Sequence, residues 1–298
     1  MIALSTLSRP VIFIIGETAT GKTNLAHQLA KIIDAEIINA DSTLVRKELN
    51  IGTDKPSKSM RNQVKYHLLD VASIRDTFSV AEYKKLAQEA LEKIWSSKKI
   101  PIIVGGSGLY INSILYNYDF VITDQQKYNV LEDKPLNELI SIANSKGFDL
   151  SRIDIKNKRR VINYINNGGT VNTKKSISNA KILLIGIQID RKDLNHNIEK
   201  RVDKMFRSGL EAEVRTLFSD QFIKPETLNI IGYKEWLSYL NHKADLAEVR
   251  THIIRDTKIL AKKQRTWFKN KIDYKINWLK QPYKLEDVVA LVTTFLNN

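Results

Sequence analysis

Up to about residue 117, short apolar runs alternate with segments of helical period. Ile12 to Ile15 form the first run, which ends at Gly16; after Gly21 the period changes, and Leu25, Leu29 and Ile32 fall on one face of a helix from Asn24 to Ile33. EIINAD (36–41) reads as a second short strand, with Asp41 just beyond its C-terminal end. Turn signals at Asn50-Ile51-Gly52 and Lys55-Pro56-Ser57 surround the segment YHLLDV (66–71) without fixing one element. Ser79 and Glu82 have capping-box spacing ahead of a long helix from Val80 to about Lys98. IPIIV (100–104) is a continuous apolar run, the pattern of a strand buried on both faces. Gly105, Gly106, Ser107 and Gly108 then turn into a helix from Leu109 to about Tyr116. Three alternations of strand and helix predict an α/β fold built on a doubly wound parallel sheet.

From Tyr118 to Lys175 the rhythm changes to polar helical segments, Pro135 to Lys146 and Asn157 to Asn166, the second closed by Gly168-Gly169. A small helical insertion (118–175) in a core made of 1–117 and 176–298 is expected. KILLIGIQI (181–189) restores a core strand, and the C-terminal third reads as helical. There Val202, Met205, Phe206, Leu210, Val214 and Leu217 form one stripe across a break at Gly209, and Ile231-Gly232-Tyr233-Lys234 opens another helix. In the long helix from about Asp245 to Asn270, Leu246, Val249, Ile253, Leu260 and Trp267 are the expected buried stripe. Arg255, Lys258, Lys262, Arg265 and Lys269 recur at 3, 4, 3, 4 spacing, which lines five cations along one face.

That row changes what composition says. The 298 residues carry 47 Lys and Arg against 33 Asp and Glu, a net charge of +14. Between Arg255 and Lys280 nine cations face only Asp256 and Asp273, so +7, half of the surplus, lies in one stretch. Like charges at i,i+3 and i,i+4 repel, and a solvated helix face normally interleaves acids; an uninterrupted row reads as contact with a nucleic-acid backbone. With no cysteine there is no disulfide, thiolate metal site or cysteine nucleophile, which fits a cytoplasmic protein. No apolar stretch is long enough to span a bilayer, and the N-terminal apolar run leads straight into the glycine-rich loop, so it is expected to be a core strand and no leader. No membrane partner is expected, and the assembly expected is a monomer.

The loop itself, Gly16, Glu17, Thr18, Ala19, Thr20, Gly21, Lys22 and Thr23, has the pattern G-x-x-x-x-G-K-T between strand and helix. Such P-loops converge backbone N–H groups on phosphate oxygens, add the helix N-terminus and a lysine charge, and offer a hydroxyl to Mg²⁺, here Thr23. The pattern leaves open which phosphate compound is held.

Seven stretches in order, GETATGKT, INADSTLVRKELNIGTDKP, YHLLDV, PIIVGGSGLY, RVDKMFRSGLEAEV, IIGYKEWLSYL and AKKQRTWFK, resemble the tRNA dimethylallyltransferases over nearly the whole chain. The resemblance implies transfer of a dimethylallyl group from dimethylallyl diphosphate to the N6 amine of an adenine next to the anticodon, position 37 of tRNA, with the loop holding the diphosphate and Mg²⁺ at Thr23. Asp41 would be the base that takes the amine proton, Thr18 its partner at the same amine, and Arg201 a second cation on the leaving group. The tRNA contacts implied are Asp41, Ser42, Thr43 and Leu44; Ser107; Arg159, Arg160, Val161, Ile162 and Asn163; Asn229, Ile230, Ile231, Gly232, Tyr233 and Lys234; and Lys262, Lys263, Gln264, Arg265, Thr266, Trp267, Phe268 and Lys269. KNKRR (156–160) independently places four cations on the insertion. This chain departs from the family pattern with Glu17 where proline is usual, Thr20 for serine, Ser107 for threonine, Asn163 for arginine, a shorter insertion, and TDQQKY (123–128), which puts Tyr128 near an expected arginine. The alternatives are a prenyltransferase on free adenine nucleotide, a P-loop kinase of a small metabolite, and an RNA-binding protein without catalysis.

Overall fold

A computed structural model describes residues 9–118, 130–171, 180–221, 223 and 228–298. It divides into two compact units, Met1–Leu115 with Ile177–Asn298, and Tyr116–Ser176.

The larger unit is built on six parallel strands: β1 (Arg9–Gly16), β2 (Ala35–Asn39), β3 (Tyr66–His67), β4 (Ile100–Gly105), β5 (Ala180–Gln188) and β6 (Ile276–Lys280). Their order is β3-β2-β4-β1-β5-β6. β1 lies between β4 and β5, with Ile14 opposite both Val104 and Ile185. Val11 to Ile15 are fully buried, which is why this strand reads as an unbroken apolar run. Helices α1 (Lys22–Ile32), α2 (Lys58–Gln63), α3 (Val80–Ser96) and α4 (Gly108–Leu115) separate the early strands. After β5 come α7 (Arg191–Arg207), α8 (Leu210–Phe218), α9 (Leu237–Leu240), α10 (Leu246–Asn270) and, beyond β6, α11 (Leu285–Asn297). One hydrophobic cluster joins Ile12, Ile14 and Ile185 to Leu25 and Leu29 of α1 and to Val288 and Val292 of α11. A second joins Ile198 and Val202 of α7, Val214 of α8, Trp236, and Val249 and Ile253 of α10.

The strand–helix alternation matches the expected α/β class, and both the Ser79–Glu82 box on α3 and the left-handed break at Gly209 (φ 93°) are present. Three expectations are corrected and one segment left open is resolved. The C-terminal third is not wholly helical, because INWLK forms the edge strand β6; it is short and half-exposed, so its side chains never gave the apolar run that a central strand needs. YHLLDV contributes the two-residue edge strand β3. Ile32 is 53% exposed, and Ala26 and Ala30 complete the buried face of α1 instead. On α10 the buried stripe is Val249, Ile253, Thr257, Ala261, Gln264 and Phe268, while Leu246 is exposed and Leu260 and Trp267 are half-buried. Small and polar residues occupy that stripe because α10 runs over β1 and the loops at its end, where backbone must be met.

The smaller unit holds α5 (Leu136–Ser145) and α6 (Lys158–Asn166). Leu139 and Ala143 pack on Val161, Ile162 and Ile165, a core belonging to this unit alone. Asn157 caps α6 by accepting from Arg160 N, and Gly169 (φ 73°) closes it with no room for a Cβ, which would sit 2.5 Å from the Phe148 ring. Among the described residues no helix is long and apolar enough to cross a membrane.

Candidate functional site

The glycine-rich loop leaves β1 at Gly16, whose φ of 150° and position 3.0 Å (at a would-be Cβ) from Ile187 O exclude a side chain. It ends at Gly21, left-handed at φ 80° and N-capping α1. Between them its carbonyls are held by side-chain donors from distant elements. Asn197 Nδ2 donates to Ala19 O at 3.3 Å and Gln281 Nε2 to Thr20 O at 2.7 Å. Thr20 Oγ1 and Lys22 Nζ donate to Glu17 O at 2.8 and 2.5 Å. Thr18 N donates to Gln264 Oε1 at 2.8 Å, and Gln264 Nε2 donates to Gly106 O at 3.1 Å. Glu17, though buried, is paired: Arg265 grips its two carboxylate oxygens at 2.5 and 3.0 Å.

Lys22 is buried, and desolvation draws its ammonium down to about pKa 8; Asp41 opposes that shift, Arg201 adds to it, and Glu17 opposes it. Arg201, carried by α7, donates to Thr18 Oγ1 and, at 2.9 Å, to Thr53 O, while its Nε lies 3.6 Å from Asp54 Oδ2. That Nε is buried without a hydrogen-bond partner.

Asp41 stands one residue past Ala40 at the end of β2. Its backbone N–H donates to Asn39 Oδ1 at 2.9 Å, and its Oδ1 accepts from Thr43 N and Thr43 Oγ1 at 2.9 and 2.8 Å. One oxygen therefore makes an Asx-type turn, whereas Oδ2 accepts no hydrogen bond among the described residues. Ser42 N donates to Ser107 Oγ at 2.9 Å, so the second and fourth sequence motifs meet here. Their approach explains the glycines: a Cβ on Gly105 would lie 2.1 Å from Ala40 O, and on Gly108 2.2 Å from the Trp267 indole.

These groups surround one cavity of about 400 Å³ within the larger unit. Its polar wall includes Thr18, Lys22, Thr23, Asp41, Arg201 and Lys204; its apolar wall includes Leu44, Met60, Tyr66, Leu69 and Val104. The Tyr66 hydroxyl is 3.1 Å from His27 Nδ1, and burial pushes the phenol up to about 12.

Sequence reading missed the device that fixes the second motif. The N–H groups of Asn50, Ile51 and Gly52 converge on the Glu213 carboxylate at 2.9 to 3.1 Å, and Tyr233 Oη donates to the same group at 2.6 Å. Gly52 meets the Tyr233 ring, and Gly232 (φ 96°) meets Gly52 O. Two separated segments thus lock the turn whose next residues, Thr53 and Asp54, receive Arg201. No periodic pattern marks such a contact; only the carboxylate in EAEV could have hinted at it.

Of the expected tRNA contacts, Tyr233, Gln264, Phe268, Val161 and Ile162 have buried side chains, so within their motifs they are framework. Leu44 and Gly232 are buried as well. Ser42, Asn229, Lys262, Lys263, Thr266 and Lys269 are exposed; Thr43, Ile230, Ile231, Lys234 and Trp267 are half-buried. Arg159, Arg160 and Asn163 are exposed on α6 of the smaller unit, and Tyr128 lies outside the described residues. The five-cation row is corrected in one respect: Arg255 pairs with Asp256, Lys258 with Glu199 and Arg265 with Glu17. Asp256 of the same helix, with Glu199 and Glu17 from other elements, supplies the interleaving that the row itself lacks.

The IPP transferase family model matches residues 44–271. The tRNA dimethylallyltransferase of Staphylococcus aureus (strain JH9) is 35% identical over 305 residues, covering 95% of this chain and 97% of its own. Crystal structures of tRNA isopentenylpyrophosphate transferases from Bacillus halodurans (27% identity, TM-score 0.74) and Staphylococcus epidermidis (32%, TM-score 0.72) each cover 97% of this chain, and 97% and 99% of their own. A eukaryotic dimethylallyltransferase acting on tRNA shares the fold at TM-score 0.84 and 23% identity, over 98% of this chain and 80% of its own. With the glycine-rich loop, the Asp41 turn and the Arg201 helix around one cavity, and with relatives matched end to end, this chain belongs to the IPP transferase family, the tRNA dimethylallyltransferases.

Proposed function

We propose that this prenyltransferase moves a dimethylallyl group from dimethylallyl diphosphate to N6 of the adenine at position 37 of tRNA, beside the anticodon, and releases diphosphate. The observation that carries this reading is the single cavity in which two buried or half-buried cations, Lys22 and Arg201, face a carboxylate, Asp41, beside an apolar wall. Diphosphate fits the cationic end and a five-carbon chain fits Met60, Tyr66 and Leu69. In the reaction the donor C1–O bond breaks, its electron pair leaves with diphosphate, a C1–N6 bond forms, and the N6 proton passes to Asp41 Oδ2. Lys22 and Arg201, fixed before the reaction, stabilise charge that grows on the leaving group. Thr18, already a hydrogen-bond acceptor for Arg201, orients the amine with Asp41. An adenine amine is a weak nucleophile because its lone pair is delocalised into the ring, so removing its proton assists attack.

Magnesium fits the donors present: Thr23 lines the cavity, and its hydroxyl has no hydrogen-bond partner among the described residues. Held there by Thr23, it would neutralise charge on the leaving group. The target base must leave its stack to enter the cavity. Exposed Lys262, Lys263 and Lys269 on α10, with Arg159 and Arg160 on the insertion, would meet the RNA backbone. Those lysines favour tRNA over a free nucleotide or a metabolite kinase substrate, neither of which requires such a face.

The test is incubation with labelled dimethylallyl diphosphate and Mg²⁺, offering bulk tRNA or AMP. Label in adenosine of tRNA is expected; label in AMP alone, or ATP turnover without use of the donor, would overturn the proposal.

A further inference from the structure

The Glu17 carboxylate is an unusual thing to place in a loop that receives an anion. Its side chain is 7% exposed, and its only ion-pair partner among the described residues is Arg265, which meets both oxygens at 2.5 and 3.0 Å. Next along α10, Gln264 accepts from Thr18 N and donates to Gly106 O. Two consecutive residues of α10 therefore hold two consecutive residues of the loop, one through charge and one through an amide. The same helix presents Lys262, Lys263 and Lys269 to solvent.

We propose that Glu17 is a positioning residue: its fork with Arg265 ties the phosphate loop to α10 and keeps the Arg265 charge turned inward, away from RNA. This inference rests on reading the loop as the diphosphate site and α10 as the RNA face. Arg265 then has two tasks. It neutralises a buried carboxylate that would otherwise repel diphosphate, and it sets loop position from the helix that meets RNA. Conversely, an RNA phosphate that captured Arg265 would leave Glu17 uncompensated, so the two binding events are linked, and linkage is reciprocal. A carboxylate left without its buried partner is costly where it sits, which makes the fork the preferred state of Arg265.

Binding of bulk tRNA across a salt series, and of inorganic pyrophosphate by calorimetry, tests this with four variants. Each phosphate contact adds roughly 0.7 to 0.9 to the slope of log K against log salt. Glu17→Gln releases Arg265, and the tRNA slope is expected to steepen by about 1. Arg265→Ala is expected to leave that slope unchanged while pyrophosphate affinity falls at least tenfold. The double variant Glu17→Gln/Arg265→Ala is expected to recover most of the pyrophosphate affinity, a rescue that loss of packing alone would not give. Arg265→Lys, which keeps the charge and loses the fork, replaces Arg265→Ala if the latter does not fold, with a several-fold weaker pyrophosphate affinity and an unchanged slope. A slope flattened by Arg265→Ala as much as by a Lys262→Ala control, with Glu17→Gln unchanged, would make Arg265 an RNA contact and overturn the inference. A wild-type protein that bound neither probe would instead overturn the reading beneath it.

Discussion

One oxygen of Asp41 is engaged in the turn to Thr43 and the other accepts no hydrogen bond among the described residues, so the two properties of this residue are separable by substitution. Asp41→Asn keeps an acceptor for Thr43 and removes the proposed base. Prenyl transfer is expected to fall about 10²- to 10⁴-fold in kcat, the range for a lost general base, with tRNA affinity changed less than a few-fold; a fully active Asp41→Asn enzyme would exclude the assigned role. Lys22 gives a pH signature. Burial lowers its pKa to about 8, so the free site loses its cation as pH rises past that value. Pyrophosphate affinity, measured relative to Lys22→Arg, is expected to drop by up to about tenfold per pH unit above 8. For folding the sign reverses: between the folded value of about 8 and the ordinary 10.5, the unfolded chain binds more protons, so this residue makes stability rise with pH over that window. Lys22, Asp41 and Arg201 were all legible in the sequence because each sits in a contiguous motif. Gln264, Gln281 and Asn197 were not legible as loop anchors, since an amide that meets a backbone group 178 to 261 residues away leaves no periodic trace.

At the scale of elements, the turn at Asn50 to Gly52 owes its position to the Glu213 carboxylate on α8, which three N–H groups and a tyrosine hydroxyl address together. Hydrogen bonds to a charged group contribute about 1.5 to 3 kcal/mol each, and the orphaned donors left by truncation raise the cost. Glu213→Ala is expected to destabilise the fold by about 2 to 4 kcal/mol in urea unfolding. It is also expected to weaken pyrophosphate binding, because Thr53 O and Asp54, which receive Arg201, directly follow the turn that Glu213 holds. Unchanged pyrophosphate affinity in a destabilised Glu213→Ala protein would show that Arg201 is positioned without the turn. The central strands were legible because they are buried on both faces; β6 was hidden by its polar Asn277 and Lys280 and its half-exposed edge. The stripe of α10 was misplaced toward Leu260 and Trp267 for a related reason. Periodicity weighs apolar residues, whereas this helix buries the polar Thr257 and Gln264, the latter bonded to backbone of the two loops.

For the whole molecule the question is how a chain of net charge +14 divides its work between a six-stranded core and a unit with its own small core. All six strands and every side chain lining the cavity lie in the larger unit, and none of the cluster around Leu139 and Ile162 contributes to either hydrophobic core described there. Replacing residues 118–175 with a short Gly/Ser linker should therefore leave the sheet, the loop and Asp41 in place. Pyrophosphate affinity is expected to stay within about twofold of the full chain, since every residue lining the cavity is retained. If Arg159 and Arg160 touch RNA phosphates, their loss flattens the tRNA salt slope by about 1.4 to 1.8, and kcat/KM for tRNA falls at least tenfold, chiefly through KM because the reacting groups are untouched. A shortened chain that bound pyrophosphate and prenylated tRNA as efficiently as the full one would assign RNA recognition to α10 and its neighbours alone.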